Sequence, residues 1–135
     1  MSRPPIQIAV VDDDDAWREL LALAARACHD GPVRQFADGE AALATLAAGA
    51  PAATLWLVDL HMPRMPGLEV VTRLRALQPQ ALVAVVSAAA TEQERMACLA
   101  AGAMAVVRKP AAFGDVVERL RELLLLAGRD GAAPP

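Results

Sequence analysis

The sequence predicts an α/β fold, a five-stranded parallel sheet with helices on both faces. Strand-like and helix-like stretches alternate five times along 135 residues. The run ALVAVV (81–86) is apolar throughout rather than at every second residue, the pattern of a strand covered on both faces. Regular alternation of this kind joins parallel strands by right-handed crossovers.

Residues 6–11 are a short apolar run rich in β-branched side chains and form the first strand. Trp17, Leu20, Leu21, Ala24 and Cys28 recur at helical spacing, predicting a helix over 16–28 with these residues inward. Residues 33–37 make a weak strand. Asp38 then caps a helix through Leu43 and Leu46 that stops at Gly49. Thr54–Val58 is a clear strand ending at Asp59. After the Pro-rich loop LHMPRMP comes a helix with Leu68, Val71, Leu74 and Leu77 inward, halted before Pro79. The apolar run 81–86 is the fourth strand. Thr91-Glu92-Gln93-Glu94 is a capping box that opens a helix closing at Gly102. Residues 103–107 are the last strand, and Phe113, Val116, Val117, Leu120, Leu124 and Ala127 line one face of the last helix. Residues 1–127 thus read as one domain, and GRDGAAPP (128–135) as a tail or linker stub.

The net charge is -3 and the arginines are scattered, so nothing favours direct nucleic-acid binding. Cys28 and Cys98 lack metal-ligand spacing and read as packing residues in a reducing compartment. The apolar stretch near the N-terminus is too short for a signal peptide. No run approaches the ~18 apolar residues of a membrane span. A soluble cytoplasmic protein is expected.

Ligands of open parallel sheets bind beyond the carboxyl ends of the strands. Asp12 and Asp13 follow the first strand, Asp59 the third, Ser87 the fourth, and Lys109-Pro110 the fifth. Three carboxylates converging there repel by roughly 4 kcal/mol per pair at ~4 Å and an effective dielectric of ~20. A hard divalent cation relieves the repulsion, and Mg2+ suits oxygen ligands. A carboxylate so held can attack phosphorus. Phosphoryl transfer then needs mainly positioning and charge neutralisation, which Lys109 and the Ser87 hydroxyl supply. Lys109 is the only lysine beside twelve arginines, which suggests a place for a slim point charge rather than a planar fork. Asp14 and Asp15 fall where the next helix begins and serve its cap and positive end.

VVDDDD, VDLHMPRMPGLE, VVSA and GAMAVVRKP together resemble the receiver domain of two-component response regulators, in its chemotaxis-regulator-like form. The resemblance spans residues 6–127. It implies a flavodoxin-like (βα)5 fold with strand order 2-1-3-4-5. It also implies Asp59 as phosphoacceptor, with Mg2+ (or Mn2+) held by Asp13, Asp59 and the backbone carbonyl of His61, and by Asp12 through water. Ser87 and Ala88 stand at the hydroxyl switch, Lys109 pairs with the phosphate, and Lys109–Pro110 is expected to be cis. The implied partners are a histidine kinase or phosphotransfer protein and a downstream protein or attached output domain.

One position departs from the pattern. Receivers usually carry Tyr or Phe three residues before the lysine; here it is Val106. The hydroxyl half of the switch is present and the aromatic half is absent. His61 reads as a solvated side chain over the site, His29 as a surface residue, and Trp17 as packing. Leu125 and Leu126 should emerge on a polar face of the last helix, either to pack on the tail or to form a homodimer or partner surface. Two rival functions stay open. A haloacid-dehalogenase-type aspartate phosphatase would use Asp12 and Asp14 as its D-x-D pair, but lacks a downstream acidic pair. A degenerate receiver would bind partners without phosphorylation. The receiver itself would modify only its own side chain and turn over no outside substrate.

Overall fold

Strands that are apolar on both faces must be covered on both faces, and this requirement organises the molecule. A computed structural model describes residues 6–49 and 54–132. The elements run β1 (Gln7–Val11), α1 (Asp15–Cys28), β2 (Val33–Phe36), α2 (Gly39–Ala47), β3 (Thr54–Val58), α3 (Gly67–Leu77), β4 (Leu82–Ser87), α4 (Glu92–Ala100), β5 (Ala105–Arg108) and α5 (Phe113–Ala132). All five strands pair in parallel, in the order β2-β1-β3-β4-β5. The expected 2-1-3-4-5 sheet is therefore the observed one.

Alternation along each strand divides the core in two. Ile8, Val10, Leu55, Leu57, Ala84 and Val86 join Leu21 of α1 and Leu120 of α5 on one face. Ala9, Val11, Trp56, Val58, Val83 and Val85 join Leu46, Val71, Leu74 and Cys98, from α2, α3 and α4, on the other. Trp56 stacks on Phe36 with ring centroids 6.0 Å apart, a useful offset geometry for two large apolar surfaces.

The helix signals act as anticipated. Asp14 caps α1, Asp38 caps α2, and both bonds of the Thr91–Glu94 capping box are present. Gly49 and Gly102 take the left-handed backbone that ends α2 and α4. Gly128 does not, and α5 continues past Ala127 to Ala132; residues 133–135 of the expected tail lie outside the described residues. Leu77 and Phe113, expected inward, are 54% and 44% exposed. Both are terminal residues of their helices, and periodicity fixes an angle around the axis, not the length of helix that the sheet covers. His29 is the C-cap of α1 and is half-buried rather than free at the surface.

Candidate functional site

The parallel sheet brings the carboxyl ends of its strands to one edge, and four of them deliver polar side chains there. Asp12 and Asp13 follow β1, Asp59 follows β3, Ser87 ends β4, and Lys109 follows β5. Backbone bonds extend the sheet's register into the site. The Asp59 N–H donates to the Val11 carbonyl at 2.9 Å, and the Lys109 N–H to the Ser87 carbonyl at 2.8 Å.

Asp12 is fully buried, Asp59 nearly so, and Asp13 is exposed. One oxygen from each lies within 4.8 Å of the others. The Lys109 ammonium sits 3.0 Å from Asp12 Oδ2 and 3.4 Å from Asp59 Oδ1. One positive charge thus faces three carboxylates. Burial first, and the Asp12 charge second, push Asp59 up to about 6 despite the pull of Lys109. Burial also raises Asp12, against the Asp14 N–H and Lys109. Asp12 Oδ2 is buried, and the Lys109 ammonium 3.0 Å away is its ion-pair partner. An oxygen-only donor set, short of positive charge and gathered within 4.8 Å, fits a hard divalent cation.

The loop after β3 needs Gly67. A Cβ there would run into the Asp59 carbonyl oxygen and come within 2.7 Å of Leu60 Cα, while the Gly67 N–H donates to the Leu60 carbonyl at 2.7 Å. The absent side chain lets α3 begin directly against the end of β3 at Asp59. Ser87 is buried, and its hydroxyl donates to the Ala89 carbonyl at 3.3 Å. Beside it lies a cavity of about 300 Å³ lined by Ala88, Ala89, Ala90, Arg95 and Val106. The small side chain at 106 thus borders open space.

One expectation changes, and two residues make a contact beyond what was expected. No peptide bond among the described residues is cis, so Lys109–Pro110 is trans. Trans is the ground state for X–Pro by about 0.5–1 kcal/mol, and Lys109 reaches Asp12 and Asp59 without isomerisation. His61 is exposed, as expected, and its Nε2 also lies 2.8 Å from Glu94 Oε2. The capping box left a signal for this contact, because Glu94 spends only Oε1 on the Thr91 N–H and has a second oxygen to offer. Trp17 packs on the α1–α5 core, as expected, but its ring also lies 5.1 Å from the Lys109 ammonium, which nothing in the sequence pattern signals. The Asp12/Asp14 pair required by a phosphatase does not form. Asp14 Oδ1 instead accepts the N–H groups of Ala16 and Trp17.

Fold, strand-end carboxylates and apposed lysine can now be set beside known proteins. The family described as "Response regulator receiver domain" matches residues 8–121. The chain belongs to this family. It is 36% identical over 129 residues to the response regulator MprA of Mycolicibacterium vanbaalenii, covering 96% of this chain and 54% of that protein. It is 33% identical over 125 residues to the probable transcriptional regulatory protein TcrX of Mycobacterium tuberculosis, covering 92% and 52%. The receiver chain therefore spans about half the length of these curated relatives. A CheY-like receiver domain protein from Methanospirillum hungatei superposes with a TM-score of 0.79 at 26% identity, covering 94% of this chain and 99% of that one. The CheX-CheY-BeF3-Mg+2 complex from Borrelia burgdorferi gives 0.79 at 25% identity, covering 89% and 90%. Receiver domains of two-component systems bind Mg2+ at an acidic pocket, and Asp12, Asp13 and Asp59 form such a pocket here. No helix among the described residues is long and apolar enough to cross a membrane.

Proposed function

We propose that this receiver is a phosphorylation-activated signalling domain acting in the cytoplasm as part of a phosphorelay. It takes a phosphoryl group on Asp59 from a histidine kinase or phosphotransfer protein and then changes its affinity for a downstream protein or attached output domain. One observation carries this: the Asp59 carboxylate lies 3.4 Å from the only lysine, with oxygens of Asp12 and Asp13 within 4.8 Å.

Asp59 acts as nucleophile in its ionised form. Its folded value of about 6 leaves it mostly ionised at neutral pH while making it more basic than an ordinary carboxylate. One carboxylate oxygen bonds to phosphorus as the donor's bond to phosphorus breaks, leaving an acyl phosphate on Asp59 and the freed donor. Lys109 holds one phosphoryl oxygen by charge, and the Ser87 hydroxyl takes another. Asp13, Asp59 and the His61 carbonyl would hold Mg2+, with Asp12 assisting through water, and Mn2+ can serve in its place. The bound ion supplies charge neutralisation around the phosphoryl oxygens. Water attack on the acyl phosphate resets the domain, so its catalysis is confined to its own side chain.

The output follows from Ser87. When its hydroxyl leaves the Ala89 carbonyl for the phosphoryl group, it draws the 88–91 loop and the start of α4 with it. Val106 provides no aromatic ring to swing inward, so β5 moves less. The decisive experiment incubates the protein with acetyl phosphate and Mg2+ and reads intact mass. Wild type should gain one phosphoryl group and Asp59→Asn none; a label that persists in the variant overturns the assignment.

A further inference from the structure

We propose that Trp17 is a positioning residue for phosphoryl transfer, whose ring holds the Lys109 ammonium inside the site. Three contacts define that ammonium: Asp12 at 3.0 Å, Asp59 at 3.4 Å, and the Trp17 ring centroid at 5.1 Å. The distance to the ring is within the range of a cation–π attraction, and tryptophan is the strongest partner for it. The Lys109 side chain is only 6% exposed, so little water competes.

The first turn of α1 is fixed in a way that suits this task. Asp14 Oδ1 accepts the Trp17 N–H at 3.1 Å, and the Arg18 guanidinium donates to the Asp12 carbonyl at 2.9 Å. Asp12 Oδ1 in turn accepts the Asp14 N–H at 2.9 Å, while its Oδ2 faces Lys109. Ring and ammonium are therefore both anchored to Asp12, one through the backbone and cap, the other by charge.

The ring is needed because Lys109 has an alternative. Trp17 and Lys109 border a cleft of about 660 Å³ whose lining includes Asp115, Glu118 and Glu122 of α5. Glu118 and Glu122 pair with Arg121 and Arg119, so Asp115 is the acid toward which the lysine could turn, taking its charge away from Asp59. The indole face makes the site side the favoured one. The role continues during transfer: as a phosphoryl oxygen replaces part of the carboxylate contact, the ring contact persists and keeps the ammonium at the reacting edge.

This inference rests on the reading of Lys109 as phosphate partner, and the single lysine allows the two to be tested apart. Selective 13C labelling of lysine gives one ε-methylene signal, that of Lys109. In wild type that signal should show the upfield shift of protons held over an indole. The shift should vanish in Trp17→Leu, which keeps apolar bulk, and be partly kept in Trp17→Phe. Acetyl-phosphate labelling of Asp59 in saturating Mg2+ should slow by roughly three- to thirty-fold in Trp17→Leu and recover in Trp17→Phe. Thermal unfolding of the three proteins separates this from loss of fold, and Trp17→Met, which keeps apolar bulk without a ring, replaces the leucine variant if that one is unstable. An unshifted lysine signal in wild type, or Trp17→Leu labelling at the wild-type rate, overturns the proposal. A shifted signal in a protein that never labels would leave the Trp17 contact standing and sink the phosphoryl-transfer reading instead.

Discussion

Asp59 pays for its chemistry in stability. Its folded value of about 6 lies above the ordinary 3.8, so the folded chain holds this proton more tightly than the unfolded chain. The stabilisation is complete below about pH 3.8 and is lost as pH rises through about 6, with a slope of at most about 1.4 kcal/mol per pH unit. Urea unfolding in a metal chelator should therefore show wild type losing stability across this window. In Asp59→Asn that loss should be absent, leaving the variant about 1–3 kcal/mol more stable at pH 7; a variant less stable than wild type there would contradict the electrostatic picture. Adding Mg2+ should narrow the gap. Val106 permits a second test at this scale. Val106→Phe places a ring beside the cavity of about 300 Å³, so stability should change by less than about 1.5 kcal/mol. NMR shifts on adding a phosphoryl mimic should then spread further into β5 than in wild type. Residues such as Asp59 and Lys109 were legible in the sequence because parallel strands send every carboxyl end to one edge. Trp17 was not, since helical spacing says which face is inward and nothing about which ammonium arrives there.

Elements differ in how firmly they are held, and α4 is held least. Its only buried residue is Cys98, whereas α3 buries Gly67, Val70, Val71 and Leu74. What fixes its start is the capping box, with the Glu94 carboxylate spanning the Thr91 N–H at 2.9 Å and His61 Nε2 at 2.8 Å. The Thr91 N–H, and then His61, hold Glu94 below the usual carboxylate range. Its contribution is thus present above the ordinary value and lost as pH falls through the lowered one. A helix with one buried side chain and a polar cap is a cheap element to move, as a switch requires. Amide hydrogen exchange should be faster in α4 than in α3, and Thr91→Ala should cost roughly 0.5–2 kcal/mol and speed α4 exchange selectively. Uniform acceleration in both helices would show that α4 is not an independent unit. Helix starts were the most legible part of this layer, because Asp38 and Thr91–Glu94 act through bonds two or three residues away. The far ends of α3 and α5 were less so, because they depend on where the sheet stops supporting them.

At the scale of the whole molecule, five apolar strands force two helical layers, and side-chain contacts between separate β-α units escaped the sequence pattern. His61–Glu94 and Trp17–Lys109 are of that kind: each joins side chains from separate β-α units, where spacing carries no information. The trans Lys109–Pro110 bond shows a different limit, since family likeness predicts an isomer that the local geometry does not require. The outer surface of α5 was legible and leads to the last prediction. Leu123 and Ala127 are buried, while Leu125 and Leu126 are 66% and 44% exposed. They follow a stretch otherwise laced with ion pairs, Arg119 to Glu122 and Arg121 to Glu118. The helix continues to Ala132 instead of turning back over them, so packing on a folded tail does not account for them among the described residues. A homodimer through α5 would bury both leucines in each copy, worth up to ~1.5–3 kcal/mol per fully covered side chain. The Leu125→Glu, Leu126→Glu variant should keep wild-type stability to within about 0.5 kcal/mol, because both positions face solvent. Sedimentation velocity over a wide concentration range should show mean mass rising with concentration for wild type and constant for the variant. A wild type that stays monomeric throughout would remove the homodimer and leave these two leucines to a downstream partner.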